Sequence, residues 1–187
     1  MKAPFKISLI SPDTDGYHAL SNMDQEGEPE PFGDGLVKVN FRESVPMSTY
    51  LTVFIVSDFE NVSRTIVPEF GDPFLLRCFS TPAQVKKLDF ALQTSVDVIQ
   101  FYISYFKIAY PLPKLDLAAI PDFVRWVSMW HLKKSTILHF HFISGAMETW
   151  GLVTYRETRL LYDETISSTA NKQTIAAVIA HEFAHMW

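Results

Sequence analysis

Ala170–Trp187 reads ANKQTIAAVIAHEFAHMW. Its alanines, with Ile175, Val178 and Ile179 at helical spacing, predict a buried helix, and Ser167, Ser168 and Thr169 offer N-caps in front of it. His181 and His185 are four residues apart, so their rings share one helical face, one turn from each other. Two imidazoles so placed can grip one Zn²⁺ at about 2.0–2.1 Å. Glu182 falls beside such a metal, where a carboxylate can take a proton from a zinc-bound water and deliver it to a leaving amine. This is the helix-borne metallopeptidase signature. The competing reading of so short a motif is two helical histidines near a surface.

Upstream, Gly145–Gly151 reads GAMETWG. Alone it is a glycine-bounded turn before a strand, and Glu148 in it would be a solvated acid. Gly151–Arg156 (GLVTYR) reads as a strand, and Lys114–Pro121 (KLDLAAIP) alternates as its neighbour. Thr81-Pro82 offers a helix cap followed by a first-turn proline. Val85, Leu88, Leu92, Val96, Ile99, Ile103 and Phe106 then mark one apolar face of a helix, which Pro111 and Pro113 terminate. Residues 1–81 read mostly as β: Phe5–Ser11, Leu36–Ser44, a more central strand at Thr49–Phe59, and a pair through Thr65–Val67 and Pro73–Phe79. Asn22–Gly35, rich in glycine, proline and acids, reads as an exposed loop. The expected organisation is α+β, with a domain boundary near residue 81.

Composition narrows function without naming it. A net charge of −5 argues against a protein that tracks nucleic-acid phosphates. The single cysteine, Cys78, excludes an intrachain disulfide within these residues and by itself leans toward an intracellular or cofactor-stabilised protein. No apolar run reaches the ~18–20 residues that span a bilayer, and Met1–Leu9 is too short and interrupted for a signal peptide.

Taken together, GAMETWGLVTYRE and VIAHEFAHMW resemble the zinc aminopeptidases of the aminopeptidase N type, a gluzincin family. PMSTYLTVFIVSDF at Pro46–Phe59, YPLPKLDLAAIPDF at Tyr110–Phe123 and SSTANKQ at Ser167–Gln173 are similar to the same family, above all to its cell-surface, secretory and insect forms. The resemblance implies the C-terminal part of a β-sandwich or saddle domain over 1–81 and the start of a thermolysin-like catalytic domain over 82–187. It implies that His181 and His185 bind zinc and that Glu182 is the general base. Glu148 would bind the substrate's free α-amino group, with Gly145, Ala146 and Met147 along the substrate. An ammonium recognised at a chain end needs a carboxylate, so that role makes physical sense. The implied activity is removal of N-terminal residues from peptides by zinc-water attack. The implied setting of a full-length protein is the plasma membrane or the secretory and extracellular space, with membrane contact only through segments outside this chain. Alanine at 146, where an epoxide hydrolase of the family usually has glycine, favours the peptidases.

Four departures accompany the resemblance. The family's third zinc ligand, a glutamate, and its tyrosine that stabilises the tetrahedral intermediate fall beyond Trp187. Tyr155 and Tyr162 are not substitutes for that tyrosine. The alternative expectation is therefore an inactive truncated isoform or gene-model fragment lacking the third ligand. Strands of the β domain are expected before Met1. Val124–Ile143 (VRWVSMWHLKKSTILHFHFI) has no counterpart in the family, reads as a gene-model artefact, and carries His131, His139 and His141, which are not expected to be ligands. Thr149 stands where the family has asparagine and forfeits the amide's hydrogen bonds.

Overall fold

The computed structural model describes residues 2–121 and 145–187. The insert at 124–143, with His131, His139 and His141, lies outside the described residues.

The element that organises the rest is a five-stranded mixed sheet. Its strands are β6 (Glu60–Ile66), β7 (Phe74–Ser80), β8 (Lys114–Ile120), β9 (Ala146–Met147) and β10 (Leu152–Arg156), in the spatial order β6-β7-β8-β10-β9. β8 runs parallel to both its neighbours, and the outer pairs are antiparallel. The parallel step from β7 to β8 requires a crossover, which α1 (Asp89–Phe106) provides. Leu115, Leu117 and Ala119 of β8 join Leu92, Val96, Ile99 and Ile103 of α1 and Ile175, Ile179 and Phe183 of α2 (Thr169–Ala184) in one core. The alternate residues Ala118 and Ile120 pack with Leu20, Val53, Ile55 and Phe59 in a second. Both faces of β8 are thus covered, and all seven of its residues are buried.

The N-terminal residues form two smaller sheets. β1 (Ser8–Pro12), β4 (Leu36–Asn40) and β3 (Glu30–Gly33) pair antiparallel in that order, and β2 (His18–Ser21) pairs with β5 (Phe54–Ser57).

Several expectations need correction. The boundary at residue 81 would cut the five-stranded sheet, because β6 and β7 precede it and bond through β7 to β8; sheet membership changes instead between β5 and β6. Asn22–Gly35 is not all exposed loop: it contains β3, and Asn22 itself is buried. Thr49–Phe59 is not one central strand. Thr49–Leu51 coils into a 3-10 turn, and among the described residues only Phe54–Ser57 pairs, with β2 alone. Thr81 makes no side-chain cap; a 3-10 segment, Pro82–Lys87, leads into α1. Phe106, at the end of the expected apolar face, is 40% exposed, and Lys107 ends the helix in the left-handed conformation. α2 buries one face instead of its whole surface, leaving His181 and His185 exposed. Its start is as expected: Ser168 accepts the Asn171 amide hydrogen, and the Asn171 side chain accepts that of Ser168.

A buried polar network joins these parts. The Lys114 ammonium donates to the Ser21 carbonyl at 2.5 Å, the Gly151 carbonyl at 2.7 Å and Asp116 Oδ2 at 2.7 Å. Arg77 closes on Asp116 with two bonds of 2.7 and 2.8 Å. Burial holds the Lys114 pKa below its usual value, opposed by the charge of Asp116. Beside it, the Asn22 amide donates to the Leu51 and Trp150 carbonyls and accepts from the Val53 amide. Replacing Lys114 by methionine strands two buried carbonyls and half of the Asp116 pairing. Lys114→Met is expected to cost about 3–5 kcal/mol, the scale for breaking a buried ion pair. Urea unfolding of the purified chain checks this, and an unchanged midpoint would contradict it.

Candidate functional site

The site gathers around the last turn of α2. His181 lies in that turn and His185 is the C-cap residue, still in right-handed helical conformation. Their Nε2 atoms are 3.4 Å apart and their rings nearly perpendicular, at 84°. Two nitrogens held by one tetrahedral Zn²⁺ at 2.0–2.1 Å stand about 3.3–3.4 Å apart, so the pair has the spacing of zinc ligands. The negative end of the helix dipole also favours a cation here.

Glu182, between the two histidines in sequence, is buried and only 1% exposed. Neither of its carboxylate oxygens has a hydrogen-bond partner among the described residues. Burial, and then the charge of Glu148, push its pKa up from 4.5 to about 7. Glu148 is likewise buried, with Oε2 unpartnered among the described residues. Glu148, Glu182 and His185 each present a ligand atom within 4.8 Å of the other two. The sequence-predicted residues of loop and helix therefore meet, although the loop and helix are separate in the chain.

The loop is set by the sheet. Ala146 and Met147 form β9 against Tyr155 and Thr154 of β10. Gly145, at φ 87°, is positioned by its carbonyl, which accepts the Arg156 amide hydrogen at 2.8 Å. The Thr149 amide donates to the Met147 carbonyl at 2.9 Å, and its hydroxyl donates to the Leu152 carbonyl. Thr149 thus spends its only donor-bearing side-chain group on closing the turn that carries Glu148. Gly151 has φ 80°, and a Cβ there would overlap the Asn22 carbonyl oxygen. Trp150 Nε1 donates to the His185 carbonyl at 3.3 Å, joining loop to helix end. From α1, the Tyr102 hydroxyl donates to the Ala180 carbonyl at 3.0 Å.

Residues that sequence reasoning missed are the positioning ones: Asn22, Lys114, Asp116 and Trp150. Lys114 and Asp116 on an alternating strand were the available signal, since charges two apart share one face. Tyr155 is fully buried, with its hydroxyl unpartnered among the described residues and its pKa raised by burial and the charge of Glu182.

Comparison with known proteins finds matches at both ends of the chain. Residues 1–51 match the Peptidase M1 N-terminal domain, and residues 124–187 match the Peptidase family M1 domain. The chain belongs to peptidase family M1. It is 42% identical to glutamyl aminopeptidase of Sus scrofa, 44% to endoplasmic reticulum aminopeptidase 2 of Bos taurus and 43% to endoplasmic reticulum aminopeptidase 1 of Homo sapiens. Each similarity runs over 186 residues, covering 100% of this chain and 17% of the relative.

The Glu182 carboxyl ionises near pH 4.5 when unfolded and near 7 when folded. Between those values the folded state holds the extra proton, so stability of the metal-free chain falls as pH rises across that window and levels off above it. Glu182→Gln should flatten this dependence in melting experiments run from pH 4.5 to 8. Glu148→Gln should lower the Glu182 midpoint, followed by carboxyl NMR, while leaving it above 4.5, because burial is the larger cause. A Glu182 midpoint near 4.5 in the unsubstituted chain would refute the environment described.

Proposed function

We propose that this chain carries the metal-binding helix and amine-recognition loop of a zinc aminopeptidase, acting within a longer protein. The chain spans 17% of the length of its curated relatives, so the activity belongs to the whole. The observation that carries the reading is the meeting of Glu148, Glu182 and His185 at the end of α2, with the His181–His185 pair at zinc spacing.

His181 and His185 would hold Zn²⁺ together with a third protein ligand, since catalytic zinc takes three. Bound there, such an ion would supply Lewis-acid polarisation of the scissile carbonyl and a nucleophile near neutral pH. Glu182 takes the proton of the attacking water and passes it to the leaving amine. A buried carboxylate next to the two metal-binding imidazoles in the helix is placed to do both. Glu148 receives the substrate's α-ammonium, which selects peptides with a free N-terminus and fixes the register of cleavage at the first bond. Gly145, Ala146 and Met147 lie along the substrate. Among the described residues β9 pairs with β10 alone and stands at the sheet's edge, which suits alignment of an extended peptide.

The small sheets β1-β4-β3 and β2-β5 are read as part of the family's N-terminal β domain, of sandwich or saddle form. The five-stranded sheet and its helices are read as the beginning of a thermolysin-like domain. The relatives' names include both glutamyl aminopeptidase and endoplasmic reticulum aminopeptidases, and a secretory-pathway or cell-surface setting is the corresponding reading here. Among the described residues no helix is long and apolar enough to cross a membrane.

The test is made in the longer protein, with an aminoacyl reporter substrate. Glu182→Gln should lower kcat by about 10²–10⁴-fold, the range for loss of a general acid–base group, with zinc content retained. His181→Ala should remove both zinc and activity. Full turnover in either variant would sink the reading.

A further inference from the structure

Glu148 owes its place to its backbone. Its Oε2 atom is buried without a hydrogen-bond partner among the described residues, so the loop that carries it decides where that oxygen stands. Before Glu148 the loop is held by β9, paired to β10. After it, two consecutive carbonyls are held by side chains from elsewhere in the chain. The Trp150 carbonyl accepts from Asn22 Nδ2 at 2.7 Å, and the Gly151 carbonyl accepts from Lys114 Nζ at 2.7 Å.

Lys114 belongs to the same sheet as the loop, in β8. Asn22 does not: it follows β2, which pairs with β5 in a separate sheet. Its side chain is fully committed. The amide nitrogen also donates to the Leu51 carbonyl at 2.8 Å, and the amide oxygen accepts the Val53 N–H at 3.0 Å. The preceding Ser21 hydroxyl donates to the Val53 carbonyl at 2.8 Å. Asn22 is thus anchored on Leu51 and Val53 and reaches out to the loop with one remaining N–H. On the loop side the approach is equally tight, because a Cβ at Gly151 would overlap the Asn22 carbonyl oxygen.

We propose that Asn22 is a positioning residue for amine recognition. Through the Trp150 carbonyl it fixes the turn that presents Glu148, and so sets how firmly a substrate's free α-ammonium is held. A carboxylate and an ammonium pair within a narrow range of distance and direction. A displacement of about 1 Å in a site can cost on the order of 10²-fold. The consequence for the substrate rests on the peptidase reading of Glu148; the hold on the loop does not.

The experiment compares Asn22→Ala with the unsubstituted protein in two settings. In the purified 187-residue chain, amide hydrogen exchange is followed by NMR at Thr149 and Leu152, which close the turn onto the Met147 and Thr149 carbonyls. Leu92 and Ile99, buried in α1, serve as the reference. Exchange at the two turn amides should quicken by about tenfold relative to the reference, the scale of one or two lost hydrogen bonds. In the longer protein, at matched zinc content, KM for an aminoacyl reporter should rise by about tenfold while kcat stays within about threefold. A residue serving stability alone would quicken all four amides together and would lower the active fraction, hence kcat, with KM unchanged. Either pattern overturns the proposal. If Asn22→Ala shows no melting transition, Asn22→Ser takes its place with the same outcomes, since a hydroxyl can donate to only one of the two carbonyls. Should the unsubstituted longer protein cleave free and N-acetylated substrates alike, the peptidase reading fails, and the exchange pattern alone decides the role of Asn22.

Discussion

The Lys114 ammonium is the point on which the other elements depend. Its three protons go to three different places: the end of β2 at Ser21, the start of β10 at Gly151, and Asp116 on its own strand. A lysine buried in this way is tolerable only when every donor is satisfied, and here each one is. Asp116 in turn takes two further bonds from Arg77 of β7. The network fixes three strands and the N-terminal segment relative to one another through charge-assisted bonds, which are directional where apolar packing is not. The turn that carries Glu148 begins one strand away, and Trp150 carries the same positioning on to the end of α2.

The polar residues of the site follow the opposite logic. Lys114 and Asp116 are buried and fully paired, whereas Glu148 Oε2 and both Glu182 oxygens are buried without a partner among the described residues. The first pair holds structure; the second is the pair to which the proposed function assigns amine recognition and proton transfer. The sheet supplies the rigid frame that makes the contrast possible, because the open carboxylates sit on elements held from behind by closed ones.

Much of this was legible in the sequence, and the reason differs by region. α2 was readable because its signals are local: a cap at Ser168, a period of 3.6, and histidines one turn apart. β8 was readable from alternation, and β7 and β10 as short strands, whereas of β6 only Thr65 and Ile66 fell in an expected strand, because Glu60–Arg64 are mostly exposed. That β8 and β10 are neighbours was expected, but the place of β7 on the other side of β8 was not, since parallel pairing through a crossover leaves no local mark. The boundary expected near residue 81 follows the change of composition at Thr81, where the chain goes from strand to helix, whereas the sheet continues past it. Asn22 looked like the first residue of a loop because its neighbours are glycines, prolines and acids. Its buried role comes from Leu51, Val53 and Trp150, partners up to 128 residues away. His181, Glu182, His185 and Glu148 were legible as residue types. That loop and helix meet is a tertiary fact that spacing alone could not give.

The Asn22–Trp150 contact has a consequence for how the chain reaches this state. Glycine at 151 lets the backbone of the loop press against the backbone at Asn22, so the loop's final shape is moulded by a segment made about 130 residues earlier. Local helices form in about a microsecond, whereas contacts this distant must wait for the entropy of a large loop to be overcome. α1 and α2 can thus take shape on their own, while the Glu148 loop acquires its geometry only when the two ends of the chain meet. During synthesis the site is consequently a late product: its ligands exist as residues well before they exist as a constellation. A nascent or partly unfolded chain would retain its helical signal and lack the site, which makes site geometry a more sensitive reporter of complete folding than helix content.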